Sequence, residues 1–240
     1  MTAEATGTRD RPPEPAKKQC VCPRVRKKVP GGTPTSLDAA EAAPAASPAV
    51  IRAFLDITGG VKPERPEIRE FLLARGAGQL AHPGGTLYAH LNRVAALLAE
   101  WGADEDLQVA GLCHAFYGTD GFGQALLTAD ERPVLRALAG GRAESLVYLY
   151  GSCHLAAVYP LLAGSGPVRF RDRFTGSTHT PPERDIRAFT ELTAANELDV
   201  MRHSDAMAAR YGASLRQLVA DAAPWLTDAA RQAWSQLRRP

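Results

Sequence analysis

The chain has 240 residues, 45% of them hydrophobic and 22% charged, which is enough for one sizeable core and excludes a wholly disordered polymer. Its 28 basic and 26 acidic residues leave a formal charge of +2, too balanced to imply a nucleic-acid partner for the whole protein. No apolar run approaches the roughly 20 residues of a membrane span, and no secretion-signal core opens the chain, so the expectation is a soluble, cytoplasmic protein with no membrane partner.

Residues 1–47 are rich in Pro, Gly, Ala, Thr and charge and hold almost nothing large and apolar to bury, so a disordered basic tail is expected there. The Lys17 to Lys28 cluster reads as a solvated run. Cys20 and Cys22 within it form a C-x-C pair without the second pair a zinc ribbon needs. Residues 48–240 are expected to form a single domain. AVIRAFLDITGG reads as a short helix stopped by Gly59 and Gly60, and PERPEIREFLLARG as a helix starting at Pro66 with Ile68, Phe71 and Leu72 on one face.

The stretch His82 to Phe122 carries most of the functional signal. His90 begins a stripe continued by Val94, Leu97, Leu98 and Trp101, and Gly102 closes that helix. Asp104 suits an N-cap for the next helix, in which Leu107, Ala110, Gly111 and His114 share a face. Each histidine sits roughly 15 Å from the turn at about 1.5 Å rise per residue, so an antiparallel hairpin sets the imidazoles opposite one another. His82, in the loop before the helix, is either a turn residue or a lid contact. Tyr117, Gly118 and Thr119 follow His114 directly; Gly118 is expected to end the helix with positive φ, and the two hydroxyls either cap backbone or bind ligand.

Further on, FYGTDGFGQALL, DERPVLRALAGG and AESLVYLYGSCHLAAVYPLL keep helical periodicity, whereas PVRFRDRFTG alternates Val168, Phe170, Asp172 and Phe174 against Arg169, Arg171 and Arg173. That alternation predicts at most one small β-hairpin, with the arginines on a half-solvated edge or gripping an anion. PPERDIRAFTELTAANELDVMRH starts at Pro182 and places Ile186, Phe189, Leu192, Thr193, Asn196 and Val200 in one stripe. A buried amide needs partners, and Asp199 shares that side of the helix. The remaining segment reads as two or three amphipathic helices anchored by Trp225 and Trp234.

HLNRVAALLAEWGADEDLQVAGLCHA resembles the first half of the HD phosphohydrolase signature, closest to the branch that hydrolyses (p)ppGpp, where a His, an apolar helix, an acidic turn and a His-Asp pair keep the same separation. AANELDVMRH is similar to the stretch that carries that superfamily's last metal ligand, and AGLCHAFYGTDGF to an uncharacterised family marked by Gly-Leu-Phe-His-Ser-x-Tyr-Gly-Thr. The resemblance spans residues 66–202 and implies an all-α, HD-like domain. It also implies a divalent metal on His90 and His114, but Ala115 replaces the paired Asp and Asn196 stands where the last Asp would be.

Two imidazoles and an amide favour Fe or Zn over Mg or Mn. Three chemical readings stay open. In the first, the metal takes a third ligand from Asp199, Glu197, Asp120 or His154, with Tyr117, Thr119 and Asn196 lining the site, and the protein is a hydrolase or an iron-dependent oxygenase acting on a small polar or anionic metabolite. In the second, the pocket is metal-free and the protein is an inactive HD-like metabolite-binding or regulatory module. In the third, His90 and His114 are satisfied core histidines.

Overall fold

The computed structural model describes residues 65–164 and 166–237. The expected tail, the helix expected from Ala49 and the Cys20/Cys22 pair lie outside the described residues. Within them the chain is mostly helical, and no helix is long and apolar enough to cross a membrane.

Helix α1 (Pro66–Ala74) begins on its proline and buries Ile68 and Leu72, two of the three apolar residues expected on its inner face. The chain then makes a ladder too short to read as alternation. Strand β1 (Ala81–His82) pairs antiparallel with β2 (Gly85–Thr86), register Ala81↔Thr86 and His82↔Gly85. Pro83 and Gly84 are the loop. A proline with its fixed φ followed by Gly84 at φ 80° is the residue pair a type II turn requires. A Cβ on Gly84 would lie 2.3 Å from Cβ of His203 and 3.0 Å from its carbonyl oxygen. Gly84→Ala is therefore expected to cost about 2–4 kcal/mol, adding left-handed strain to steric overlap, and urea unfolding measures it. Wild-type stability in that variant would mean the turn is not seated on the end of the helix bearing His203.

Helices α2 (Leu87–Glu100) and α3 (Glu105–Cys113) form the expected hairpin. Thr86 and Asp104 cap them by accepting from the amides of Ala89 and Leu107, and Gly102 at φ 78° makes the turn between them. Their contact is close because residue 111 is glycine: a Cβ there would come 2.5 Å from Leu98. FYGTDGFGQALL, expected to be helical, is turn and loop instead, because Gly118 takes φ 65° and the chain folds back so that the amides of Leu126 and Leu127 donate to Phe116 O. Helices α4 (Arg132–Ala139), α5 (Gly141–Ser152) and α6 (Leu155–Leu162) follow. The alternating segment gives β3 (Phe170–Arg171), paired with β4 (Thr178–His179). A single small hairpin was expected; the described residues hold this one and the β1–β2 ladder.

Helix α7 (Glu183–His203) is the axis of the domain. It packs on α2, α3 and α5, and also on α8 (Asp205–Asp221) and α9 (Asp228–Ser235). A helix covered on several sides must satisfy its own polar groups, and this one does. Thr190 and Thr193 donate to carbonyls four residues back, and Glu191 accepts from the backbone and hydroxyl of Thr227, the N-cap of α9. Trp225 and Trp234 anchor the C-terminal helices as expected, their indole N–H groups donating to Leu162 O and Ala194 O.

Candidate functional site

His90 lies in the first turn of α2, His114 caps the C-terminus of α3, and Asn196 and Asp199 lie on α7. The imidazoles are 0% and 2% exposed. Their Nε2 atoms are 3.4 Å apart, and Asn196 Oδ1 is 3.0 Å from Nε2 of His90. The tautomers follow from the other side of each ring. Nδ1 of His90 meets Asp199 Oδ2 at 2.7 Å and Nδ1 of His114 meets Gly111 O at 2.8 Å. Carboxylate and carbonyl can only accept, so both Nδ1 atoms carry hydrogen, and in a neutral ring the Nε2 atom then presents its lone pair. With both rings neutral, three acceptor atoms converge.

Asp199 stands behind His90 and not between the rings, unlike the direct metal ligand expected from sequence. Three residues after Asn196 the helix has rotated past the gap between the rings, and the carboxylate reaches the far nitrogen of His90. Its oxygens also accept from Nε and Nη2 of Arg93, at 2.7 and 2.9 Å, and Nδ1 of His203 donates to its backbone carbonyl. Burial pushes the Asp199 carboxyl up, but the hydrogen bonds from His90 and Arg93 outweigh it and hold the group down to about 2. Burial, and then the neighbouring His90, lowers His114 to about 3.

A third imidazole joins the pair. His82 stacks on His90 with ring centroids 3.9 Å apart and planes at 21°, and Phe122 sets its edge against His82. Of the two sequence readings, turn residue and lid contact, the first describes its position, directly before the Pro83–Gly84 turn. Burial, then His90, lowers it to about 4. Tyr150 packs edge-on against His114. Asn196 Nδ2 donates to Glu197 Oε1 at 3.4 Å, and burial pushes the Glu197 carboxyl up to about 7.

The other candidates are engaged elsewhere. Gly118, at φ 65°, turns the chain, and Tyr117 sends its hydroxyl to Glu144, which Arg132 grips through two nitrogens. Thr119 Oγ1 accepts from the amide of Phe122 and closes a local turn. Asp120 accepts from the amide of Leu155 beside His154. Arg173 donates to Gly151 O and Tyr117 O, while Arg169 and Arg171 are exposed. Cys113 and Cys153 are buried free thiols, both pushed up by burial and so neither poised as a nucleophile.

Among the described residues no three His, Cys, Asp or Glu side chains are grouped to hold a metal ion. The donor set that does converge is two imidazoles and one amide oxygen. Two imidazoles on one tetrahedral ion at bond lengths of about 2.05 Å stand about 3.3–3.4 Å apart, so the pair's spacing fits a shared borderline cation such as Zn²⁺ or Fe²⁺.

Residues 71–155 match a family model described as a domain of unknown function (DUF6817). The match includes His82, His90, His114, Tyr117 and Thr119 and stops before α7, so Asn196 and Asp199 fall outside it. No curated protein and no solved structure matches the chain.

Proposed function

We propose that this protein is a divergent, HD-like, metal-dependent enzyme acting on a small polar or anionic metabolite. What carries the reading is the convergence of His90 Nε2, His114 Nε2 and Asn196 Oδ1 at 3.4 and 3.0 Å, with the opposite nitrogen of each imidazole committed as a donor. Three lone pairs gathered inside a domain repel one another unless a cation or a proton stands among them. His90, His114 and Asn196 would hold the ion, Fe or Zn in preference to Mg or Mn.

A bound ion would supply Lewis acidity toward water or, if iron, chemistry with oxygen. The chain's own contribution is orientation. Asp199 fixes the ring and tautomer of His90, Arg93 fixes Asp199, and Gly111 O does the same for His114. With Ala115 buried where the HD resemblance implies a carboxylate, no cleavage of (p)ppGpp with Mn²⁺ is expected.

Protein purified without chelator or histidine tag is expected to carry Fe or Zn, up to one per chain, and to lose it in His90→Ala and His114→Ala variants that still melt cooperatively. A second reading, an inactive HD-like metabolite-binding module, is favoured by the near-complete burial of both imidazoles. Metal-free wild type stabilised against heat by a metabolite would select it.

A further inference from the structure

We infer that residues 119–125 are a lid over the imidazole site, closed in this structure, seated on His82 by Phe122 and latched to α6 by Asp120. The inference rests on the functional reading of that site. Its first ground is access. His90 and His114 are 0% and 2% exposed, so no ligand touches them until part of their cover moves. The rings stand in file from surface to interior: Phe122 lies 5.3 Å from His82, His82 lies 3.9 Å from His90, and His90 lies 5.2 Å from His114. The outer two are half-buried and the inner two are buried. Solvent is therefore nearest at the Phe122 end of the file.

The second ground is how the cover is held. Helices α2, α3 and α7 pack on one another, and the β1–β2 hairpin is held against α7 where Gly84 abuts His203. Residues 119–125 are attached far more lightly. The amides of Leu126 and Leu127 both donate to Phe116 O at 2.8 Å, which ties the two ends of the segment together as in a compact surface loop. Thr119 and Phe122 exchange backbone hydrogen bonds with each other, so those bonds travel with the loop when it swings. Phe122 is its one large apolar side chain, and Asp120, Gly121 and residues 123–125 are exposed. The loop is held to the body by the Phe122 edge on His82 and by Asp120, whose Oδ2 accepts from the amide of Leu155, the first residue of α6, at 3.0 Å. A segment with so few buried contacts opens locally at much lower cost than the helices beside it. Once Phe122 lifts, the His82 ring loses the group that packs against it and rotates off His90 while its strand stays in place.

The test is acylation of the imidazoles of the full chain by diethylpyrocarbonate at neutral pH, followed ring by ring by mass spectrometry. In wild type, His90 and His114 are expected to react at a rate that low urea leaves unchanged, the mark of a local opening that exposes little surface. Asp120→Ala releases the latch and is expected to raise the rates at His82, His90 and His114 together by about tenfold. Asp120→Asn, whose amide oxygen still accepts from Leu155, is expected to stay within about threefold of wild type. Gly123→Ala places its methyl group where nothing lies within 4 Å, and is expected to slow all three rings about two- to fivefold because the open loop has fewer conformations. Wild-type rates at His90 and His114 that climb with urea in step with global unfolding overturn the inference, as does an Asp120→Ala rate equal to that of wild type. Added Zn²⁺ separates lid from metal. An ion on the pair slows His90 and His114 in every variant by the same factor, so no slowing, with the Asp120→Ala acceleration intact, removes the metal and keeps the lid. The wild-type urea series needs no variant to fold.

Discussion

Asp199→Ala is expected to destabilise the domain by about 3–5 kcal/mol, the range for removing one partner of a buried charged pair. The Asp199 carboxylate is 1% exposed and accepts from His90 and from two nitrogens of Arg93 at once. Without it the buried N–H of His90 has no acceptor and the Arg93 guanidinium loses both of its anionic contacts. Asp199→Asn should recover little, since one amide oxygen replaces two and the amide nitrogen faces donors. Urea unfolding gives the magnitude. Nitrogen spectra of His90 give the cause, because the hydrogen released from Nδ1 is expected to distribute between both ring nitrogens. A loss below about 1 kcal/mol would place Asp199 among solvated surface pairs and contradict its role in orienting His90.

Acid is expected to have a comparable effect once one opposing group is removed. His82 and His114 titrate near 4 and 3 in the folded chain against 6.5 unfolded. As pH falls below 6.5 the unfolded chain takes up protons that the folded chain refuses, so stability drops by about 1.4 kcal/mol per pH unit for each ring. Glu197 works the other way. Raised from 4.5 to about 7, it costs stability as pH rises through that window and gives it back as pH falls. In metal-free Glu197→Gln, lowering the pH from 7 to 5 should therefore remove about 3–4 kcal/mol, and in wild type about half as much. Asp199, lowered to about 2 from 3.8, enters only below pH 4, where its contribution is lost in turn. Unfolding free energies at pH 7, 6 and 5 decide the matter. Equal slopes in the two proteins would show that Glu197 is not the opposing group.

Much of this architecture is written in local patterns. The stripe from His90 to Leu98, the Asp104 cap, the Gly102 turn and the stripe on α7 all follow from spacing, because a helix repeats itself over a few residues. The facing of His90 and His114 also follows, since a short connection between antiparallel helices leaves few registers. What spacing could not convey is which side of a ring a distant residue approaches. Asp199 is 109 positions from His90, and one turn of α7 decides between opening and outer nitrogen. Tyr117 and Thr119 were misplaced because Gly118 redirects the backbone between them. The β1–β2 ladder escaped because two residues per strand carry no period. Arg93, three residues after His90, was the available hint that a carboxylate waited on that face.

The indole of Trp234 donates to the carbonyl of Ala194, two residues before Asn196. That oxygen belongs to the same turn of α7 that aims the amide at His90. Helix α9 and the imidazole pair are thereby mechanical neighbours, joined through one rung of helix and not through a chain of loops. A displacement of α9 would therefore act on α7 at the turn that carries Asn196.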